Sequence, residues 1–146
     1  MVTTAEAVGE LVGVAYKLHG GTGDAVSRIL RPRKTRKGTK KGMQIYIAGK
    51  ITGLSGEEAE GMFMMAETML EKKGHTPLNP LALVDQDPDR TYEDYLLDAL
   101  EIVLCSAEAL YMLPNWRDSL GARIEHAIAV EKRLPIYYAA TELPGA

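Results

Sequence analysis

The sequence predicts an α/β fold in which a small parallel sheet of four to five strands is flanked by helices. From residue 43 onward, short apolar runs alternate with longer segments whose apolar residues have helical spacing. Strands that alternate with helices form βαβ units with parallel strands. The length of 146 residues, with 46% hydrophobic and 25% charged residues, suits one globular domain with an appendage.

Each predicted element has its own sequence signal. In chain order the elements are a strand at 43–48, a helix at 55–73, a strand at 75–78, a polar loop at 79–90, a helix at 91–104, a strand at 109–113, a helix at 119–132 and a strand at 134–138. Ser55 and Glu58 have the spacing of a helix capping box, and Gly74 ends that helix. Thr91 and Asp94 start the second helix in the same way.

The first 42 residues differ in character from the rest. Residues 1–30 are predicted to form a helical extension, and residues 31–42 a basic linker with seven Lys or Arg and no acid. Residues 43–146 form the predicted main domain and carry 8 basic and 17 acidic side chains, which gives −9. The net charge of −3 for the whole chain is therefore the sum of two unlike parts.

Charge and composition exclude several classes of protein. Ordinary nucleic-acid-binding domains are basic over a whole face, whereas this main domain is acidic. The single Cys105 excludes an intrachain disulfide framework. No apolar run approaches the ~20 residues of a membrane span, and no signal peptide is recognisable. We therefore expect a cytoplasmic protein without membrane contact, in which the basic linker does not make nucleic-acid binding the main role.

Ligands of parallel α/β folds bind beyond the carboxyl ends of the strands. Here those ends are the glycine turn at 49–53, the loop after residue 78 and the loop at 114–119. Backbone N–H groups of the glycine turn could hold a phosphate or a sugar hydroxyl. The alternative, which the pattern supports equally, is a tight connection that needs a positive φ.

The predicted helix at 119–132 begins with a second candidate site. Ser119 stands at the N-cap position, and Gly121 would let a ligand approach the backbone near the positive end of the helix dipole. These features suit an anion pocket, although helix capping alone also explains Ser119.

Glu125 lies in the second turn of the same predicted helix. Its neighbours three and four positions away are Gly121, Ala122, Ile128 and Ala129, none of which can pair with a carboxylate. A carboxylate on a small-residue face near a strand end suits a nucleophile or a general base. The alternative is a partner from another element.

Asp98 is a further candidate, on the second predicted helix. Asp94 already serves the helix cap, whereas no structural duty for Asp98 is visible in the sequence. A carboxyl group in an acidic neighbourhood suits proton transfer, but an ordinary solvated acidic stripe is the simpler explanation of this residue alone. The three histidines are too scattered for a metal site.

Three segments together resemble a known superfamily: residues 45–53 (IYIAGKITG), the helix with Asp98, and residues 119–127 (SLGARIEHA). Their order and spacing are similar to those of the nucleoside 2-deoxyribosyltransferase superfamily. The nearest branch is a DUF4406-type group of phages and bacteria, related to the deoxynucleoside 5′-monophosphate N-glycosidases. The resemblance covers residues 43–138 and implies a small Rossmann- or flavodoxin-like sheet.

The resemblance also implies roles for individual residues. Glu125 matches the glutamate that attacks the anomeric carbon, and Tyr46 matches the tyrosine that orients it. Asp98 matches the aspartate that positions the sugar or handles protons at the base. Ser119 matches a serine that helps to bind the 5′-phosphate. The residues of the glycine turn implied to contact the nucleotide are Gly49, Ile51, Thr52 and Gly53.

Two departures from the glycosidases leave the base and phosphate preferences open. Lys50 and Thr52 stand where those enzymes usually have a small residue and an arginine, and the loop before Ser119 is longer. The function implied is cleavage or transfer of an N-glycosidic bond on a nucleoside or its 5′-monophosphate, without a metal or redox cofactor. The alternatives are a non-catalytic nucleotide-binding or sensing module and an interaction protein. Relatives form homodimers or larger homo-oligomers, so the same is expected here.

Overall fold

The structure is a computed structural model that describes residues 42–84 and 87–145, and it confirms the α/β class. Four parallel strands form one sheet in the order β2-β1-β3-β4. The strands are β1 (Gln44–Ala48), β2 (Thr76–Leu78), β3 (Ala109–Met112) and β4 (Ile136–Tyr137). Because β1 is a central strand, its carboxyl end lies between those of β2 and β3.

Four helices connect and cover the strands: α1 (Gly56–Lys72), α2 (Pro80–Leu83), α3 (Tyr92–Cys105) and α4 (Leu120–Glu131). Both predicted capping boxes are confirmed. The Ser55 hydroxyl accepts from the Glu58 N–H at 3.2 Å, and the Thr91 hydroxyl accepts from the Asp94 N–H at 3.2 Å. Two 3₁₀ turns, Trp116–Asp118 and Ala140–Glu142, complete the described elements.

The short helix α2 corrects the prediction of a continuous polar loop at 79–90. Asn79 is its N-cap, because the Asn79 side-chain oxygen accepts from the Leu81 N–H at 3.0 Å. Pro80 occupies the first turn, where its missing N–H costs no helical hydrogen bond. The polar composition of the segment obscured this capped turn.

The two faces of the sheet bury alternate residues of β1, as the pleat requires. Ile45 and Ile47 pack in the core cluster with Phe63 and Leu70 of α1. Tyr46 points to the other face, where its hydroxyl reaches α4. Helix α4 contacts β1 and β3, and α3 packs against α4. The sheet is therefore covered by helices on both faces, and Tyr46 belongs to the face that carries α4.

The sequence predicts that the methionines of α1 lie in the core or on a dimer surface. Met62 and Met69 are partly buried against the core, whereas Met64 is 63% and Met65 76% exposed. The methionines therefore divide between the core and the surface of the helix.

Residues 1–41 lie outside the part of the chain that the structure describes. The predicted helical extension at 1–30 and almost all of the basic linker at 31–42 therefore stay predictions. Within the described residues, none of the helices has the length and apolar character needed to cross a bilayer.

Candidate functional site

A cleft of about 310 Å³ lies beyond the carboxyl ends of β1, β2 and β3. Its walls come from the turn after β1, from α2, from the first two turns of α3 and from the start of α4. The described residues that line it are Tyr46, Gly49, Ile51, Thr52, Pro80, Leu81, Val84, Tyr92, Tyr95, Leu96, Ala99, Ser119, Gly121, Ala122 and Glu125. Seven of the nine predicted site residues belong to this wall. Asp98 and Gly53 do not.

Glu125 and Tyr46 form a buried pair on the inner wall of the cleft. The Tyr46 hydroxyl donates a hydrogen bond to Glu125 Oε1 at 2.7 Å. The side chains are only 1% and 6% exposed for Tyr46 and Glu125, respectively. The carboxyl group of Glu125 thus has a partner from another element, but that partner is a neutral phenol. No other hydrogen bond to this carboxyl group occurs within the described residues.

Burial changes the acidity of both groups. It raises the pKa of Glu125 from 4.5 to about 8, although the hydrogen bond from Tyr46 acts in the opposite direction. Burial, together with the nearby Glu125 charge, raises the pKa of Tyr46 well above 10. The phenol therefore stays protonated as a donor, while the carboxyl group changes its charge near physiological pH.

Ser119 and Gly121 have structural duties at the start of α4. The Ser119 hydroxyl accepts from the Ala122 N–H at 3.2 Å, which confirms the predicted N-cap. A Cβ atom on Gly121 would lie 3.2 Å from the Tyr92 hydroxyl oxygen and 3.5 Å from Leu96 Cδ1. Gly121 therefore lets α3 approach α4 closely. Both residues also line the cleft, so a ligand role for them stays a prediction.

The glycine turn after β1 is held by local packing and by the loop after β3. Gly53 has a φ of +87°, which favours glycine and is the positive φ that the structural alternative for this turn requires. The Lys50 N–H donates to Asn115 Oδ1 at 3.0 Å, which ties the turn to that loop. A Cβ atom on Gly49 would lie 2.5 Å from Leu113 Cδ1 and 2.9 Å from Leu113 Cβ.

We expect Gly49→Ala to lower the free energy of unfolding by about 1–3 kcal/mol, because the added methyl group overpacks the contact with Leu113. Urea unfolding measures this change. The matched control is Gly61→Ala in α1, where the new Cβ meets nothing within 4 Å. The control should raise stability by roughly 0.5–1 kcal/mol, since alanine is the better helix former. Equal effects of the two substitutions would contradict the packing explanation.

Asp98 has a structural partner that the sequence did not reveal. Its Oδ2 lies 2.6 Å from Arg90 Nη2, and both side chains are about a quarter exposed, 27% for Asp98 and 23% for Arg90. The Arg90 guanidinium also lies 5.2 Å from the centre of the Tyr95 ring. Arg90 precedes Asp98 by eight residues, which is beyond the spacing of three or four positions at which side chains of one helix are neighbours. A role of Asp98 in chemistry therefore stays a prediction.

Helix α3 supplies wall residues that the sequence-based prediction missed: Tyr92, Tyr95, Leu96 and Ala99. Their spacing of three, four and seven positions marks one face of a helix, so the signal was present in the sequence. The Tyr95 hydroxyl donates to the Asp87 carbonyl oxygen. The Tyr92 hydroxyl makes no hydrogen bond within the described residues and is free to bind a ligand.

His126 and Trp116 lie outside the lining of the cleft. The His126 ring stacks on Trp116 with a centroid distance of 4.4 Å, and its Nε2 lies 2.7 Å from the Tyr138 hydroxyl. Although His126 adjoins Glu125 in sequence, its side chain serves this separate aromatic cluster. Within the described residues, no group of three or more His, Cys, Asp or Glu side chains could hold a metal ion.

Comparison with known proteins gives one match. A family model described as "Domain of unknown function (DUF4406)" matches residues 43–138. No curated protein and no solved structure matches the chain. The matched range includes all four strands and every residue that lines the cleft.

Proposed function

This chain belongs to the family described as a domain of unknown function (DUF4406), and we propose that it cleaves or transfers the N-glycosidic bond of a nucleoside or its 5′-monophosphate. The observation that carries the proposal is the buried pair of Glu125 and Tyr46 on the wall of the cleft. The resemblance to nucleoside 2-deoxyribosyltransferases supplies the reaction class, because it matches these two residues to a nucleophile and the tyrosine that orients it.

In the proposed reaction the Glu125 carboxylate attacks the anomeric carbon of the sugar. The bond from that carbon to the base nitrogen breaks, and the base leaves with the bonding electrons and takes up a proton from water or from Asp98. Water or a second base, which loses a proton to solvent as it attacks, then displaces the Glu125 carboxylate from the sugar. Water gives a hydrolase and a second base gives a transferase. A buried carboxylate suits this chemistry because it stabilises the oxocarbenium character of the transition state in a site of low dielectric constant.

Tyr46 is proposed to hold the nucleophile in place. Its hydroxyl donates a hydrogen bond to Oε1 of Glu125. The other carboxyl oxygen has no hydrogen-bond partner within the described residues and is available to attack the sugar. The raised pKa of Tyr46 keeps the phenol protonated throughout the neutral range. For Asp98, sugar positioning or proton transfer remains proposed, but its pairing with Arg90 would have to open first.

A base-release screen tests the proposed function. The panel holds nucleosides, 2′-deoxynucleosides and their 5′-monophosphates, and mass spectrometry detects the free base and any sugar adduct of the protein. We expect release of base from at least one member, with a transient adduct on the peptide that contains Glu125. Absence of both released base and adduct over the whole panel would contradict the proposal.

A second candidate function, nucleotide binding or sensing without turnover, is favoured by one observation. Burial raises the pKa of Glu125 to about 8, so most of the carboxyl groups are protonated at pH 7 and are poor nucleophiles. A binding module with this pocket would retain its ligand unchanged. Binding of a panel member without base release, even at pH 9, would support this function in place of the enzymatic one.

The pH dependence of turnover shows whether Glu125 acts as a nucleophile or as a general acid. A nucleophile reacts as the carboxylate, so kcat/KM should increase with pH below the pKa of Glu125, about tenfold per pH unit. It should become constant above about pH 8, where the carboxyl group is ionised. A general acid would give the opposite trend, with kcat/KM falling above about 8. Steady-state rates between pH 5.5 and 9.5 decide between them. A flat profile would contradict both catalytic roles.

Assembly as a homodimer or a higher homo-oligomer and a cytoplasmic location stay part of the proposal. The exposed Met64 and Met65 on α1 are compatible with an interface between copies of the chain.

A further inference from the structure

The wall of the cleft carries almost no charge. Within the described part of the chain, Glu125 is the one Asp, Glu, Lys or Arg side chain that lines it. The rest of the wall consists of glycine, aliphatic, hydroxyl and tyrosine side chains. A phosphate group carries about −1.5 to −2 charges near pH 7, and no positively charged side chain in this wall would balance it.

Three basic side chains of the surrounding elements lie outside the lining of the cleft. Arg90 pairs with Asp98, and the Arg117 guanidinium lies 4.9 Å from the centre of the Trp116 ring. The Lys50 ammonium lies 4.0 Å from the position of a Cβ atom on Gly53, a residue that does not line the cleft.

Arg123 on α4 does not line the cleft, although it contacts Ser119, which does. It is separated from Glu125 by two positions along the helix, which is about 200° at 3.6 residues per turn. Its Nε donates to the Ser119 carbonyl oxygen at 3.4 Å, and the side chain is exposed. No arginine or lysine therefore lines the cleft, as far as the described residues show.

The N-terminus of α4 offers little compensation. The Ser119 hydroxyl already accepts a hydrogen bond from the Ala122 N–H, one of the free N–H groups at this end of α4. The Tyr92 hydroxyl lies against Gly121 in the same turn. A helix N-terminus corresponds to only about +0.5 charge. Half a positive charge cannot balance a phosphate dianion.

The polar side chains that remain available in the wall carry neutral hydroxyls. Tyr46 is engaged with Glu125, and Tyr95 donates to the Asp87 carbonyl. The hydroxyls of Thr52, Tyr92 and Ser119 are the remaining ones, and Ser119 still has its proton to donate. Such groups match the hydroxyls of a sugar, which both donate and accept hydrogen bonds.

We infer, on the premise of the proposed function, that the substrate is a free nucleoside with an unphosphorylated 5′-hydroxyl. The near absence of positive charge in the cleft discriminates against the 5′-monophosphate. The Ser119 hydroxyl then serves the sugar and the helix cap, and not a 5′-phosphate as the resemblance implies.

Matched substrate pairs test this inference. Each pair consists of a nucleoside and its 5′-monophosphate with the same base, and kcat/KM is measured for both at pH 7.5. We expect the nucleoside to be preferred at least about tenfold. Thr52→Arg places a cation on the exposed rim of the cleft and should shift the preference toward the monophosphate at least about tenfold. The control is Thr68→Arg, on the exposed surface of α1 and outside the cleft, which should leave the preference unchanged.

The outcomes separate the substrate class from the proposed function. A monophosphate that the wild type turns over as well as, or better than, its nucleoside overturns the inference but supports glycosidic cleavage. An unchanged preference in Thr52→Arg also overturns it. If no base is released, ligand-observed NMR with the same pairs decides. Tighter binding of the nucleoside then supports the preference for an unphosphorylated ligand and contradicts the enzymatic function, whereas tighter binding of the monophosphate overturns the preference. Binding of neither member of any pair overturns both.

Discussion

Glu125→Gln is expected to reduce base release by at least about a thousandfold, the scale seen when a covalent nucleophile is removed. The amide has nearly the shape of the carboxyl group, and its oxygen can still accept the hydrogen bond from Tyr46. It cannot displace the base, because an amide oxygen is a poor nucleophile. The loss should appear in kcat, while binding of the nucleoside persists. Single-turnover assays with mass-spectrometric detection of the base measure the effect.

The matched control is Glu131→Gln, which makes the same chemical change in the last turn of α4. Glu131 is exposed and does not line the cleft, so the turnover of this variant should equal that of the wild type. Both variants should keep cooperative thermal unfolding, which separates loss of chemistry from loss of fold. Turnover by Glu125→Gln within tenfold of the wild type would show that Glu125 is not the nucleophile.

The fold could be predicted because its signals are local. The capping boxes at Ser55 and Thr91 and the glycine after the first helix each act within one helical turn, and the structure confirms them. Helix α2 was missed because a four-residue helix leaves no periodic pattern to detect. Its only signal is Asn79 followed by Pro80, an N-cap and a first-turn proline.

The candidate site was predictable in part, and the limit was set by distance along the chain. The helical neighbours of Glu125 showed that no partner stood within one turn, but its actual partner Tyr46 lies 79 positions away. Local spacing cannot identify such a contact, and only the resemblance to a known superfamily connected the two residues. Asp98 shows the same limit at shorter range, because Arg90 reaches it from the preceding loop.

Chemistry that depends on burial was also beyond the sequence. The raised pKa of Glu125 has burial as its main cause, and burial becomes known only when β1, α3 and α4 are packed together. Tyr92 and Tyr95 were missed for a different reason. Their helical spacing was visible, but the sequence alone did not show that this face of α3 turns toward the cleft.

Glu125→Gln is also expected to change the pH dependence of the free energy of unfolding, and the change should be large for a single side chain. The pKa of Glu125 is raised from 4.5 to about 8 in the folded protein. A raised pKa means that Glu125 contributes its full stability below about pH 4.5 and loses it progressively as the pH rises toward 8. A pKa difference of one between the folded and unfolded states corresponds to about 1.4 kcal/mol, so the wild type should lose on the order of 4 kcal/mol between about pH 5 and 9 through this group.

Glutamine does not titrate, so the variant escapes this loss. The free energy of unfolding of Glu125→Gln minus that of the wild type should therefore increase with pH between about 5 and 8 and stay constant above about 8. All other titrating groups are common to both proteins and cancel in the difference, and Glu131→Gln should give a flat line. Urea unfolding at a series of pH values measures it. A flat line for Glu125→Gln as well would mean that the carboxyl group ionises normally in the folded protein. Because no substrate takes part, this result tests the buried acid independently of the reaction proposed for it.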